Sequence, residues 1–129
     1  MSDLESAILE AVNDMNYVSF AQLNQIDGFQ VPDDSESCHG LEIAPNTLLW
    51  YGMTKEGSDA VIRLLDEHKI AIAPTDTLVY LIDGECLTLP IANGGRKGGY
   101  AKPHWLPVTL CRASDGKVQR GSRWLIAHR

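Results

Sequence analysis

A chain of 129 residues, 44% apolar and 22% charged, has the size and composition of one soluble globular domain. No stretch approaches the roughly 18 consecutive apolar residues of a membrane span, and the acidic start MSDLESAILE lacks the cationic flank of a secretory signal. The net charge of −6 argues against a polyanion partner only until its distribution is considered. Residues 1–90 hold sixteen acids and three basic residues, a balance of −13, whereas residues 91–129 hold eight basic residues and one acid, a balance of +7.

The first predicted element is a helix. Leu4, Ala7, Ile8, Ala11, Val12 and Met15 recur at helical spacing, and Ser2 with Glu5 forms a capping-box pattern. After Asn13-Asp14, Tyr17-Val18 makes a short extended stretch. Ser19 opens a second helix with Gln22 as its box partner, Phe20, Leu23 and Ile26 on the buried side, and Gly28 at its end. Residues 28–46, with Pro32, Asp33, Asp34, Glu36, Gly40 and Pro45, lack periodicity and are expected as a loop, unless a strand near Leu41–Ile43 is hidden in them.

Leu48-Leu49-Trp50-Tyr51 is a short apolar strand, and Thr54 caps a third helix that ends near His68-Lys69. Ile70-Ala71-Ile72 is a strand stopped by Pro74. Thr77–Ile82 is rich in β-formers, and Asp83-Gly84 predicts a tight hairpin whose return strand runs from Cys86 to Ile91. Val108–Cys111 and Trp124–Ala127 are further strands, with a turn at Asp115-Gly116. Neither an internal repeat nor a linker is present, so residues 1–129 form a single domain.

In LESAILEAVND, YVSFAQLNQI, SDAVIRLLDEHKI and the hairpin TLVYLIDGECLTL, the chain from residue 3 to residue 91 resembles the winged helix-turn-helix superfamily. The resemblance implies an α+β fold: three helices followed by an antiparallel β-hairpin or small sheet, with residues 92–129 as a basic, glycine-rich loop and C-terminal β extension. It also implies binding to DNA, or service as a protein-interaction module. Two features depart from the pattern. Residues 28–54 intervene where a short turn normally joins the second and third helices. The third helix also carries Glu56, Asp59, Asp66 and Glu67 against few cations, a poor face to press on phosphates.

The stretch NGGRKGGYAKPHWLP, residues 93–107, is the better candidate site. Its glycines permit close backbone approach. Arg96, Lys97 and Lys102 supply charge, Tyr100 and His104 offer rings to a base or sugar, and Arg112, Arg120 and Arg123 extend the basic patch downstream. The expected partner of residues 93–129 is thus nucleic acid or another anion. The stretch fits neither GxxxxGK[ST] nor GxGxxG. The alternative is a protein-interaction module or homodimer that pairs acidic with basic surfaces, with Trp50, Tyr51 and Ile62 as surplus apolar residues at the contact.

Enzyme chemistry has thin support. Cys38-His39 are neighbours that point in opposite directions in an extended chain, and nearby acids disfavour a thiolate. The four histidines and three cysteines lack metal-site spacing, so neither metal nor cofactor is expected. An odd number of widely spaced cysteines fits reduced thiols in the cytoplasm. The overall expectation is a small non-enzymatic binding protein.

Overall fold

The computed structural model describes residues 2–32, 38–92, 99–116 and, for the backbone alone, 125–128. Helix α1 (Asp3–Met15) is capped by Ser2, which accepts from the Glu5 amide, but the Glu5 side chain pairs with Arg63 and does not complete the expected capping box. A two-residue strand β1 (Val18–Ser19) leads into the short helix α2 (Phe20–Leu23). Here the capping box is complete: Ser19 accepts from the Gln22 amide, and the Gln22 side chain accepts from the Ser19 amide. Strands β2 (His39–Ala44) and β3 (Thr47–Met53) follow, then α3 (Lys55–Asp66), capped by Thr54, and β4 (Ile70–Pro74). Helix α4 (Thr77–Asp83), β5 (His104–Trp105), β6 (Val108–Arg112) and β7 (Leu125–His128) complete the described elements.

The strands form two sheets. One is antiparallel in the order β1-β6-β4; the other has the order β5-β3-β2-β7, with β5 parallel to β3 and the remaining pairs antiparallel. The fold is α+β, but the expected architecture of three helices followed by a hairpin is overturned. Strands are interleaved with helices along the whole chain. The stretch 28–46, expected as a loop unless a strand near Leu41–Ile43 lay hidden in it, does contain that strand as β2, which pairs with β3 on one side and β7 on the other.

The predicted hairpin at residues 77–91 does not form. Thr77–Asp83 is helical because Asp76 caps its start, its carboxylate accepting from the Leu78 amide at 2.9 Å. Gly84 ends the helix in the left-handed conformation, φ 93°, so Asp83-Gly84 is a helix end rather than a hairpin turn. The β-propensity of Leu-Val-Tyr-Leu-Ile yields to two end signals and to the burial of one side chain, Tyr80. Residues 85–90 contain no strand, and Ile91 makes one isolated bridge to Trp105.

An aromatic cluster links the β5-β3-β2-β7 sheet to α2 and α4, and the Tyr80 hydroxyl reaches the other sheet at the Val108 carbonyl. Trp50 stacks on Phe20 at 6.1 Å and on Tyr80 at 5.2 Å between ring centroids, and Trp105 meets Tyr80 edge-on at 4.9 Å. The Trp105 indole donates to the Leu49 carbonyl at 3.2 Å. Ile8 and Val12 of α1, and Val61, Leu64 and Leu65 of α3, carry the same core across the other side. Burial of this apolar surface, rather than any local element, holds the short strands in place.

Candidate interaction surfaces

Helix α4 presents the clearest surface. Leu78, Leu81 and Ile82 stand at i, i+3 and i+4, one side of a helix, and are 58%, 64% and 75% exposed. Tyr80 lies on the opposite side and is fully buried. Its hydroxyl donates to the Val108 carbonyl at 2.6 Å and accepts from the Phe20 amide at 3.1 Å. Burial pushes the phenol far above its usual range, outweighing the contrary effect of the Phe20 amide. The end of the helix is tied by Asp83, which accepts from the Ser19 hydroxyl at 2.6 Å. The apolar stripe is therefore held on a fixed support. Met15 and Tyr17 are also exposed. Tyr17 stands two residues before Ser19, and Ile82 directly precedes Asp83, so the Ser19–Asp83 bond brings their backbone segments together.

The three residues expected at a protein contact lie elsewhere. Trp50 is buried in the aromatic cluster, and Tyr51 and Ile62 are half-buried against the core. Leu48 and Leu49 are buried too. The apolar surplus of the 48–51 run is consumed by the core, where β3 lies between its sequence neighbour β2 and the remote β5. The stripe was present in the sequence as spacing, with Asp76 before it and Gly84 after it, and was masked by the β-formers around it.

A second surface surrounds the β2–β3 turn at Pro45-Asn46. The Tyr100 amide donates to the Pro45 carbonyl at 3.0 Å, the His104 amide to the Asn46 carbonyl at 2.7 Å, and the Asn46 side-chain amide to the Tyr100 carbonyl at 2.9 Å. Gly99 makes this approach possible. Its φ is +70°, and a Cβ there would lie 2.1 Å from the Pro45 oxygen. The Tyr100 and His104 rings stack at 3.8 Å with 17° between planes. His104 Nδ1 lies 2.8 Å from the Lys102 carbonyl, an acceptor, so Nδ1 carries the proton. Both rings are half-buried, and Lys102 is exposed.

The structure thus brings Tyr100, Lys102 and His104 together. Arg112 sits apart from them at the end of α1, where Nε and Nη2 both donate to the Asn13 carbonyl, at 3.0 and 2.7 Å. A cation at a helix C-terminus is a stabilising arrangement in its own right. Arg96, Lys97, Arg120 and Arg123 lie outside the described residues.

The cations of the first ninety residues are all engaged. Lys55 pairs with Asp59 at 2.9 Å, Arg63 with the buried Glu5, and Lys69 with Glu67 at 3.3 Å. The hydrogen bond that Lys55 donates to the Asp59 carboxylate raises its ammonium above the ordinary value. Helix α3 accordingly has no uncommitted cation to offer a phosphate. Among the described residues, no group of three or more His, Cys, Asp or Glu side chains is placed to hold a metal ion. No helix among them is long and apolar enough to cross a membrane. No family model, no curated protein and no solved structure matches the chain.

Proposed function

We propose that the chain is a non-enzymatic interaction module that pairs with a second copy of itself, with the α4 stripe at the centre of the contact. The observation that carries this reading is the exposure of Leu78, Leu81 and Ile82 on a helix whose opposite side is anchored by Tyr80. Complete burial of a large aliphatic side chain is worth about 1.5–3 kcal/mol, so side chains more than half exposed leave about 1–2 kcal/mol each to be gained on docking. Little conformational freedom is lost in docking a helix that is already fixed.

A second copy fits because the chain carries both signs of charge in separate parts, −13 over residues 1–90 and +7 over residues 91–129. The acids beside the stripe do not oppose the pairing. Asp83 is hydrogen-bonded to Ser19, and Glu85 accepts from the Asn24 side chain. The three cysteines are unpaired thiols, which supports the cytoplasm as the working compartment within this proposal.

Light-scattering mass across a concentration series tests the reading, with Leu81→Asp as the control. A mass rising toward twice the monomer value, and returned to the monomer by the variant, is expected. A wild-type mass that stays at the monomer value at every concentration and salt would overturn it.

A further inference from the structure

We infer that the turn formed by Gly99–His104 on the Pro45-Asn46 corner is a binding site for single-stranded nucleic acid. Tyr100 and His104 would serve as the base-stacking surface and Lys102 as a phosphate contact. This site is separate from the α4 stripe and does not depend on self-association.

Three observations converge on it. The first is preorganisation. Two backbone hydrogen bonds and the Asn46 side chain hold the turn against β2 and β3, and Gly99 allows the backbone to approach where a side chain would collide. A surface loop carrying three polar or aromatic side chains, Tyr100, Lys102 and His104, is therefore fixed before any ligand arrives, which lowers the entropy lost on binding.

The second is ring geometry. Tyr100 and His104 are stacked face to face at 3.8 Å, and each remains partly open to solvent. The His104 ring is oriented by its Nδ1 proton, which points to the Lys102 carbonyl at 2.8 Å. A base can add to such a pair as a third layer, because every base offers a π-face and stacking needs no particular sequence. The Trp105 that follows takes no part: it is buried and donates to Leu49.

The third is charge. Every cation in residues 1–90 is committed to an acid, so phosphates find no welcome on the helical side of the molecule. The C-terminal third holds eight basic residues against Asp115 alone. Lys102 is exposed within the turn itself. Electrostatics thus steer a polyanion toward the one part of the chain that also presents the stacked rings. Duplex DNA fits less well, because its bases are already stacked and cannot reach the rings without unpairing.

The test is fluorescence anisotropy of labelled oligothymidine, oligouridine, duplex DNA and heparin across a salt series, using the full chain. Oligothymidine and oligouridine are expected to bind more tightly than the duplex or heparin. Tyr100→Leu keeps the backbone contacts but removes the stacking ring; it should weaken oligothymidine by roughly 5- to 100-fold, the range for one base–aromatic stack, with the salt slope unchanged. Lys102→Gln should instead reduce the slope of log affinity against log salt by about 0.7, as expected for one phosphate contact on a single strand. Circular dichroism and a thermal melt establish that both variants fold. Absence of oligothymidine binding at low salt overturns the proposal. So does binding that folded Tyr100→Leu and Lys102→Gln leave intact, or binding no tighter for oligothymidine than for heparin.

Discussion

Replacing Tyr80 with phenylalanine removes one oxygen and no ring. The contacts of that ring with Trp50 at 5.2 Å and Trp105 at 4.9 Å survive, so no cavity is created. Two hydrogen bonds are lost, to the Val108 carbonyl and from the Phe20 amide, both in the buried interior. A buried polar group left without its partner costs about 1–3 kcal/mol, which places the expected loss of stability at about 2–4 kcal/mol. For a chain of this length that corresponds to a melting temperature lowered by roughly 10 °C. Urea unfolding followed by tryptophan fluorescence measures the difference directly. A change below about 0.5 kcal/mol, the scatter of surface substitutions, would refute the claim that this hydroxyl fastens α4 to the core.

The same substitution has a pH signature. The folded phenol is raised far above its ordinary value by burial, whereas the unfolded one ionises near pH 10. Below that pH both states are protonated, and Tyr80 makes stability independent of pH. Above it the unfolded chain releases a proton that the native chain keeps, so native stability falls by about 1.4 kcal/mol per pH unit until the folded value is reached. Every other titratable group is common to both proteins. The wild-type minus Tyr80→Phe stability difference therefore isolates this group: it should be flat to about pH 10 and shrink beyond it.

Three further outcomes are expected. Leu81→Asp, at a site 64% exposed in the single chain, should shift monomer stability by no more than about 0.5 kcal/mol while abolishing self-association, as unfolding under monomeric conditions and sedimentation velocity will show. Gly99→Ala should cost about 1–3 kcal/mol, because its backbone is left-handed and its methyl meets the Pro45 carbonyl; loss of the slow-exchanging Tyr100 and His104 amides in hydrogen exchange would locate the damage. Thiol labelling in the native state should modify the exposed Cys86 first and spare Cys111, which is buried against the Ala71 carbonyl and whose thiolate is disfavoured first by desolvation and then by Asp115.

Local chemistry was legible where both partners of an interaction lay within a few residues. The Ser19–Gln22 capping box, the Thr54 cap, the Ile8 and Val12 core positions of α1 and the strands at Ile70 and Val108 follow from such patterns, whereas Met15, expected on the same stripe, is exposed. Elements defined by distant partners were not legible. Strand β2 carries bulges and an uneven burial pattern, and it is a strand because β3 and the remote β7 pair with it, Leu41 opposite Trp50 and Ile126. Helix α4 was hidden by a run of β-formers whose fate is decided by Asp76, Gly84 and a tyrosine that reaches Phe20 and Val108. The glycines near residue 95 signalled close approach, but not that Gly99 makes it, nor that Pro45 is what it approaches. Trp50 read as surplus apolar surface only because the rings that stack on it come from Phe20 and Tyr80, thirty residues away in either direction.

Charge count alone merges two properties that the fold separates. The deficit of −13 over residues 1–90 looks like one acidic face, yet its three cations are paired and the acids beside the α4 stripe are hydrogen-bonded within the chain. What remains at α4 is an apolar contact, which should persist at high salt, where only the part of the affinity that comes from the opposite charges of residues 1–90 and 91–129 is screened. The Tyr100–Lys102–His104 turn is built the other way, on rings and an exposed cation, and its affinity for a polyanion should fall steadily with salt. The two surfaces share no residue and stand on different elements, α4 in one case and the β2–β3 corner in the other. Sites without shared partners act independently, so Leu81→Asp and Lys102→Gln combined should lose self-association and phosphate contact by the sum of the single effects, within about 0.5 kcal/mol. A double variant whose oligothymidine affinity fell well below that sum would mean that dimerisation builds the nucleic-acid surface, and the two proposals would have to be merged into one.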